Sequence, residues 1–189
     1  KLSELSSQES EEKVKDLAAK IIKVGGKPNL ENKNQHSCFS CDIREANQIR
    51  NTLHESGIKS LYAVVINAGI GGENVYGTKD RWQEIIDINL TGSYNTAQEC
   101  LPYLKKDNNF FKKILFMSSI LARLGVAGYS AYCASKAGIH GLMRSLATEL
   151  CEENILVNAL CPGWVNTDMA HQGLEGMAQA MKISKEEAY

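Results

Sequence analysis

With 189 residues, the chain is long enough for one hydrophobic core and too short for two full domains. Hydrophobic residues make up 43% and charged residues 23%, and 21 basic against 22 acidic side chains leave a net charge of −1. That balance gives no electrostatic footprint for nucleic acid or an anionic membrane surface, and no apolar run reaches the length of a membrane span.

Residues 1–35 are polar and charged, with a helical stripe of Leu5, Val14, Leu17, Ala18, Ile21 and Ile22. That helix starts near Glu9 and is stopped by Val24-Gly25-Gly26-Lys27-Pro28. A loop over Asn29 to Gln35 leads to a short strand, Ser37 to Cys41, and a helix from Arg44 to Glu55 closed by Ser56-Gly57. The nearly continuous apolar run from Ser60 to Ile66 is the mark of a strand buried on both faces, and it enters Asn67-Ala68-Gly69 directly.

A glycine-rich loop, Gly69 to Gly77, precedes a long helical pattern from Lys79 to Leu104. Lys113 to Met117 is a second buried strand ending at Ser118-Ser119, and Ser130 to Glu152 is a long helix rich in Ala and Gly on one side. Leu156 to Leu160 is a further strand entering Cys161-Pro162-Gly163. Asp168 to Tyr189 carries a stripe of Met169, Leu174, Met177 and Met181. Strands alternating with long helices indicate βαβ units and a parallel sheet, in which ligands bind beyond the carboxyl ends of the strands. Asn67, Ser119 and Pro162-Gly163 all follow such ends.

The six cysteines are scattered. Cys38 and Cys41 form one Cys-x-x-Cys, but no second pair completes a metal site, so they read as small apolar core filling. Reduced thiols imply a cytoplasmic or organelle-matrix protein, and the cytoplasm is the expected location.

Tyr132 and Lys136 stand four residues apart on a helix, so phenol and ammonium share one face. A cation beside a phenol favours the phenolate and lowers a pKa otherwise near 10, which suits acid/base work on an alcohol or ketone.

Ser119 lies thirteen residues before Tyr132, Asn89 sits in Asp87-Ile-Asn-Leu-Thr91, and Pro162-Gly163 is followed by Thr167. Together with Asn67-Ala68-Gly69 and Asp42, these positions resemble the single-domain branch of the short-chain dehydrogenase/reductase family. The resemblance covers nearly the whole chain and is strongest from Leu61 to Met169. It implies an α/β fold, a Rossmann-like doubly wound parallel sheet lacking here its first two strands and its last. It also implies an NAD(P)-dependent oxidoreductase interconverting a secondary alcohol and a ketone, with NAD or NADP as cofactor and a homodimer or homotetramer as the assembly. By texture the nearest relatives are 3-oxoacyl-thioester reductases and 3-hydroxybutyrate or sugar-alcohol dehydrogenases.

By the same resemblance, Tyr132 is the acid in reduction and the base in oxidation. Lys136 lowers the Tyr132 pKa and holds the nicotinamide ribose, Ser119 polarises the substrate oxygen, and Asn89 ties the lysine to solvent through water. Asn67, Ala68 and Gly69 support the sheet beside the cofactor, and Asp42 contacts adenine. Pro162, Gly163 and Thr167 meet the nicotinamide carboxamide, and residues 168–189 form a substrate lid on the single, partial domain 1–189. The family's phosphate fingerprint, a strand followed by Gly-x-x-x-Gly-x-Gly opening a helix, is absent from this sequence. Lys1 is expected just after the family's second strand, and this polypeptide by itself is expected to bind nicotinamide cofactor weakly or not at all. The alternative is a non-catalytic or truncated member acting as a binding or oligomerisation module.

Overall fold

The computed structural model describes residues 21–24, 37–104, 111–163, 165–166 and 168–188. Strand β1 (Ile21–Val24) pairs antiparallel with β2 (Ser37–Ser40), Ile21 opposite Ser40 and Val24 opposite Ser37. This corrects the end of the first expected helix. Ile21, Ile22 and Val24 are β-branched, which restricts them in a helix and suits them to a strand once a pairing partner is available. The body of that helix and the 29–35 loop lie outside the described residues.

Helix α1 (Ala46–Glu55) follows, and then β3 (Ala63–Ile66). The long helical pattern resolves into α2 (Trp82–Ile86), a π turn over Asp87–Thr91 and α3 (Gly92–Leu104). Next come β4 (Lys112–Met117), α4 (Ser130–Leu150), β5 (Ile155–Leu160), α5 (Asp168–Met181) and the short α6 (Lys185–Ala188).

Strands β3, β4 and β5 form a parallel sheet in that order. Its register puts Val64 beside Ile114 and Ile114 beside Val157, so one face carries a row of buried branched side chains, with Ile66, Phe116 and Ile155 extending it. Each fully buried Ile or Phe contributes about 1.5–3 kcal/mol. Helix α3 packs on β3 and β4, α4 on β5, and α1 on α3. The core therefore lies between the sheet and these helices, while Val65, Leu156 and Leu160 on the opposite face are exposed. This is a Rossmann-like α/β arrangement. Strand β2 pairs with β1 and belongs to a separate two-stranded sheet.

Two close approaches hold the helices in place. A side chain at Gly138 of α4 would meet Leu90 Cδ2 at 2.8 Å, so this glycine lets α4 lie against the π turn. Gly92, at the start of α3, accommodates Ile43 Cδ1, which an added Cβ would meet at 2.6 Å.

Candidate active site

The parallel register aligns the strand ends. Ile66 stands opposite Phe116 and Met117 opposite Leu160, so Asn67, Ser118-Ser119 and Cys161-Pro162 leave the sheet along one edge. The Ser118 N–H donates to Leu160 O at 2.8 Å and the Ile120 N–H to Pro162 O at 3.0 Å, joining two of these exits. Ser119 has extended backbone and is 8% exposed, and its Oγ accepts the Leu121 N–H at 3.2 Å. That bond caps the short turn over Ile120–Ala122 and fixes the hydroxyl at the strand exit.

Tyr132 and Lys136 project from the first two turns of α4. The Ser119 side chain stands near enough to the half-buried Tyr132 phenol to act on its titration. Lys136 is 6% exposed and donates from Nζ to Met117 O at 2.8 Å, with Nζ 5.6 Å from the Tyr132 ring centroid. Ser118 Oγ donates to Lys136 O at 3.1 Å and so ties the helix to the same strand end.

The electrostatics differ from the sequence expectation. Burial pushes the Tyr132 phenol above its ordinary value; the Ser119 hydrogen bond opposes this and Cys133 adds to it. Burial also brings Lys136 down to about 8. The net shift of Tyr132 is therefore upward, with burial as its largest cause. Both groups are shielded from water, which favours the neutral form of each, and the ammonium is already engaged by a carbonyl.

Asn89 lies in the π turn and is 1% exposed. Its Oδ1 accepts the Ile70 N–H at 2.8 Å, and its Nδ2 donates to Ile70 O at 2.9 Å and to Ser135 Oγ at 3.1 Å. The side-chain amide thus clamps the loop just after Asn67-Ala68-Gly69. A π turn inside an α-helix widens the backbone locally and is frequent at functional sites. A side chain at Gly69 would stand 3.0 Å from Asn89 Oδ1 and 3.5 Å from Lys136 Nζ. Glycine keeps that space between amide and ammonium open.

Asn67 is exposed and Ala68 packs partly against the core. Pro162 is half-buried, and Gly163 is exposed with open space where a side chain would be. Thr167 lies outside the described residues, as do the side chains of Met169, Met177 and Met181. Asp42, just past β2, is held by Arg44, whose Nε donates to Oδ1 at 2.9 Å and to Oδ2 at 3.0 Å. Its own N–H donates to Gln48 Oε1 at 2.9 Å.

The structure adds residues that the motifs did not single out. Ser135 Oγ bridges Asn89 and the Tyr132 carbonyl, which accepts its hydrogen at 2.8 Å. Its place one residue before Lys136 and three after Tyr132 was the available signal. Asn74 and the Met117 carbonyl had none.

The short chain dehydrogenase family model matches residues 7–178. The 3-oxoacyl-[acyl-carrier-protein] reductase FabG of Staphylococcus aureus is 33% identical over 69% of this chain and 54% of its own length. Among solved structures, the aldohexose dehydrogenase of Thermoplasma acidophilum is similar with a TM-score of 0.67 and 26% identity, over 78% of this chain and 58% of that one. Carveol dehydrogenase from Mycobacterium avium in complex with NAD gives 0.62 and 34%, over 68% and 48%. The chain spans about half the length of the curated relatives it matches. With the family model matching most of its residues, the chain belongs to the short-chain dehydrogenase family.

Proposed function

We propose that the protein is an NAD(P)-dependent oxidoreductase that interconverts a secondary alcohol and a ketone, with Tyr132 as the acid and base. The observation that carries this reading is the convergence of Tyr132 and Ser119 beside the buried Lys136 ammonium at the ends of the strands. The sequence similarity to a 3-oxoacyl-thioester reductase supports a carbonyl substrate, and the likeness to a dehydrogenase solved with NAD supports the cofactor class.

The residues present fit the nicotinamide end of such a cofactor. Lys136 has three ammonium hydrogens and places one on Met117 O, Asn67 and Gly163 are exposed at the same sheet edge, and Gly69 leaves room beside the ammonium. Lys136, Asn67, Ala68, Gly69, Pro162, Gly163 and Thr167 would hold this end, and Asp42 the adenine. The fit does not extend to the pyrophosphate, because the sequence has no glycine fingerprint to cradle it. When bound, the nicotinamide supplies or accepts a hydride.

Tyr132 delivers its proton to the carbonyl oxygen in reduction and takes the hydroxyl proton in oxidation. Ser119 Oγ turns its hydrogen to the same oxygen and stabilises the charge that develops there. Lys136 holds positive charge near the phenol, and Asn89 keeps the loop at Ile70 in register with the helix that carries both. Residues 168–189 cover the substrate as a lid on this single Rossmann-like domain; among the described side chains of α5, Leu174 and Ala178 are buried.

The test is Tyr132→Phe against the parent chain, with ketones and 3-oxoacyl thioesters and cofactor at millimolar concentration to load a weak site. Loss of turnover by roughly 10²–10⁴-fold is expected. Unchanged turnover would rule out the acid/base role. The alternative is a non-catalytic binding or oligomerisation module; calorimetry with NADH and NADPH separates the two, because micromolar binding excludes a module that has lost its cofactor.

Assembly as a homodimer or homotetramer would use the outer faces of α3 and α4, where Tyr94, Ala137 and Gly141 are exposed. Sedimentation tests it. A cytoplasmic location accords with Cys41, Cys100, Cys133, Cys151 and Cys161 being free thiols. No described helix is long and apolar enough to cross a membrane.

A further inference from the structure

Helix α4 begins at Ser130 after Tyr129, whose side chain caps nothing. The first N–H groups of a helix lack intrahelical partners and are ordinarily met by a Ser, Thr, Asp or Asn at the cap. Here the acceptor comes from another segment. Asn74, in the loop between β3 and α2 and 3% exposed, accepts the Ala131 N–H at 2.9 Å and the Ser130 Oγ–H at 3.1 Å on its Oδ1. An amide N–H can only donate, so the oxygen of Asn74 must be the atom facing Ala131. The backbone N–H of Asn74 also donates to Gly128 O at 2.8 Å, so side chain and main chain grip the same entry to α4.

The other end of the amide reaches the second helix of the site. Asn74 Nδ2 donates to Asp80 Oδ1 at 3.4 Å, and that oxygen also accepts the Trp82 N–H at 3.0 Å at the start of α2. Helix α2 leads through the π turn to Asn89, and α4 leads from Ala131 to Tyr132, the next residue. One buried amide therefore fastens the origins of both helices that carry the cluster. We propose that Asn74 is a positioning residue for Tyr132, fixing the first turn of α4 from which the phenol is presented toward Ser119 at the strand exit. This rests on the acid/base reading of Tyr132 given above.

The test follows the Tyr132 phenol directly, in the full chain with tyrosines ¹³C-labelled at Cζ and Tyr132 assigned from Tyr132→Phe. The groups near the phenol are Ser119, Cys133 and Lys136, and those near the amide are Asp80 and Glu73; Asn74→Ala replaces none of them and takes one hydrogen bond from Asp80. With the Ser119 contact loosened, Asn74→Ala should move the phenol titration to higher pH in the parent background. It should move it no further in a Ser119→Ala background, because the bond it perturbs is already gone. Turnover at saturating cofactor should fall roughly 10- to 100-fold in kcat with the ketone KM little changed, the pattern of a misplaced reacting group.

Asn74→Ser, whose shorter acceptor falls back from Ala131, gives the same comparison if the alanine variant does not fold. An unmoved Tyr132 titration in a folded Asn74 variant, or equal shifts in both backgrounds, would overturn the proposal and leave Asn74 a helix cap alone. Absence of turnover in the parent chain would count against the proposed function, while the titration would still decide the role of Asn74.

Discussion

Replacing Lys136 with methionine should change how stability depends on pH, by an amount the structure sets. The ammonium is 6% exposed, and burial lowers its pKa to about 8, against about 10.4 in an unfolded chain. Between those values the unfolded chain binds more protons than the folded one, so the parent's unfolding free energy rises with pH through the window. At about 1.36 kcal/mol per pH unit the rise amounts to roughly 3 kcal/mol from pH 7 to pH 10.5. Lys136→Met keeps the unbranched stem of the side chain without the ammonium and has no such slope. The stability of the variant relative to the parent should therefore fall by roughly 3 kcal/mol across the window, or about 6–12 °C in Tm for a chain of this size. Urea unfolding followed by circular dichroism at several pH values, with reductant, measures both curves. Groups that titrate alike in the two chains cancel in the difference. A flat difference from pH 7 to pH 10.5 would refute the claim that Lys136 is a desolvated ion.

Ser119→Ala removes the side chain that holds the Tyr132 phenol down, so the phenol should titrate at higher pH still. In alcohol oxidation the acidic limb of the pH–rate profile should move up, with kcat lower by about 10²–10³-fold. Gly69→Ala puts a methyl 3.0 Å from Asn89 Oδ1 and 3.5 Å from Lys136 Nζ. It should cost about 1–3 kcal/mol in thermal unfolding and lower turnover in the folded fraction, whereas alanine at Gly163, where the space is open, should leave stability within about 0.5 kcal/mol. Asn89→Ala strands the Ile70 N–H and C=O, each worth about 1–3 kcal/mol when left without a partner. A thermal melt should show a loss of at least about 2 kcal/mol.

The sheet edge was legible because its signals are local. Each of the strands β3, β4 and β5 is a short apolar run, and each ends in a polar or glycine-containing turn that directly follows it in sequence. Tyr132 and Lys136 were legible for the same reason, since a spacing of four on a helix fixes a shared face. The strand at Ile21–Val24 was not, because its pairing with Ser37–Ser40 is a tertiary event and an amphipathic stripe of branched residues fits either state. The π turn at Asp87–Thr91 carries no compositional mark; it is a slip of the hydrogen-bond ladder inside an otherwise ordinary helical pattern. Asn74 acts on Ala131 across 57 residues, a distance at which no spacing rule operates.

The direction of the Tyr132 shift shows how two correct local arguments combine into a different result. A full positive charge 5.6 Å from the ring would favour the phenolate by roughly 3 kcal/mol at an effective dielectric near 20, about two pH units in its titration. Burial acts on both partners, however. It penalises the phenolate directly, and by bringing Lys136 to about 8 it makes the charge that should help conditional on pH. In the proposed reaction, the protonated phenol that results is the form that would give a proton to a carbonyl. Oxidation in the same proposal would need the phenolate, which a charged Lys136 favours. Acceptors offered to the remaining ammonium hydrogens stabilise its charge and restore the pull on the phenol. The pair is therefore best understood as one titrating unit whose balance is set by what binds Nζ.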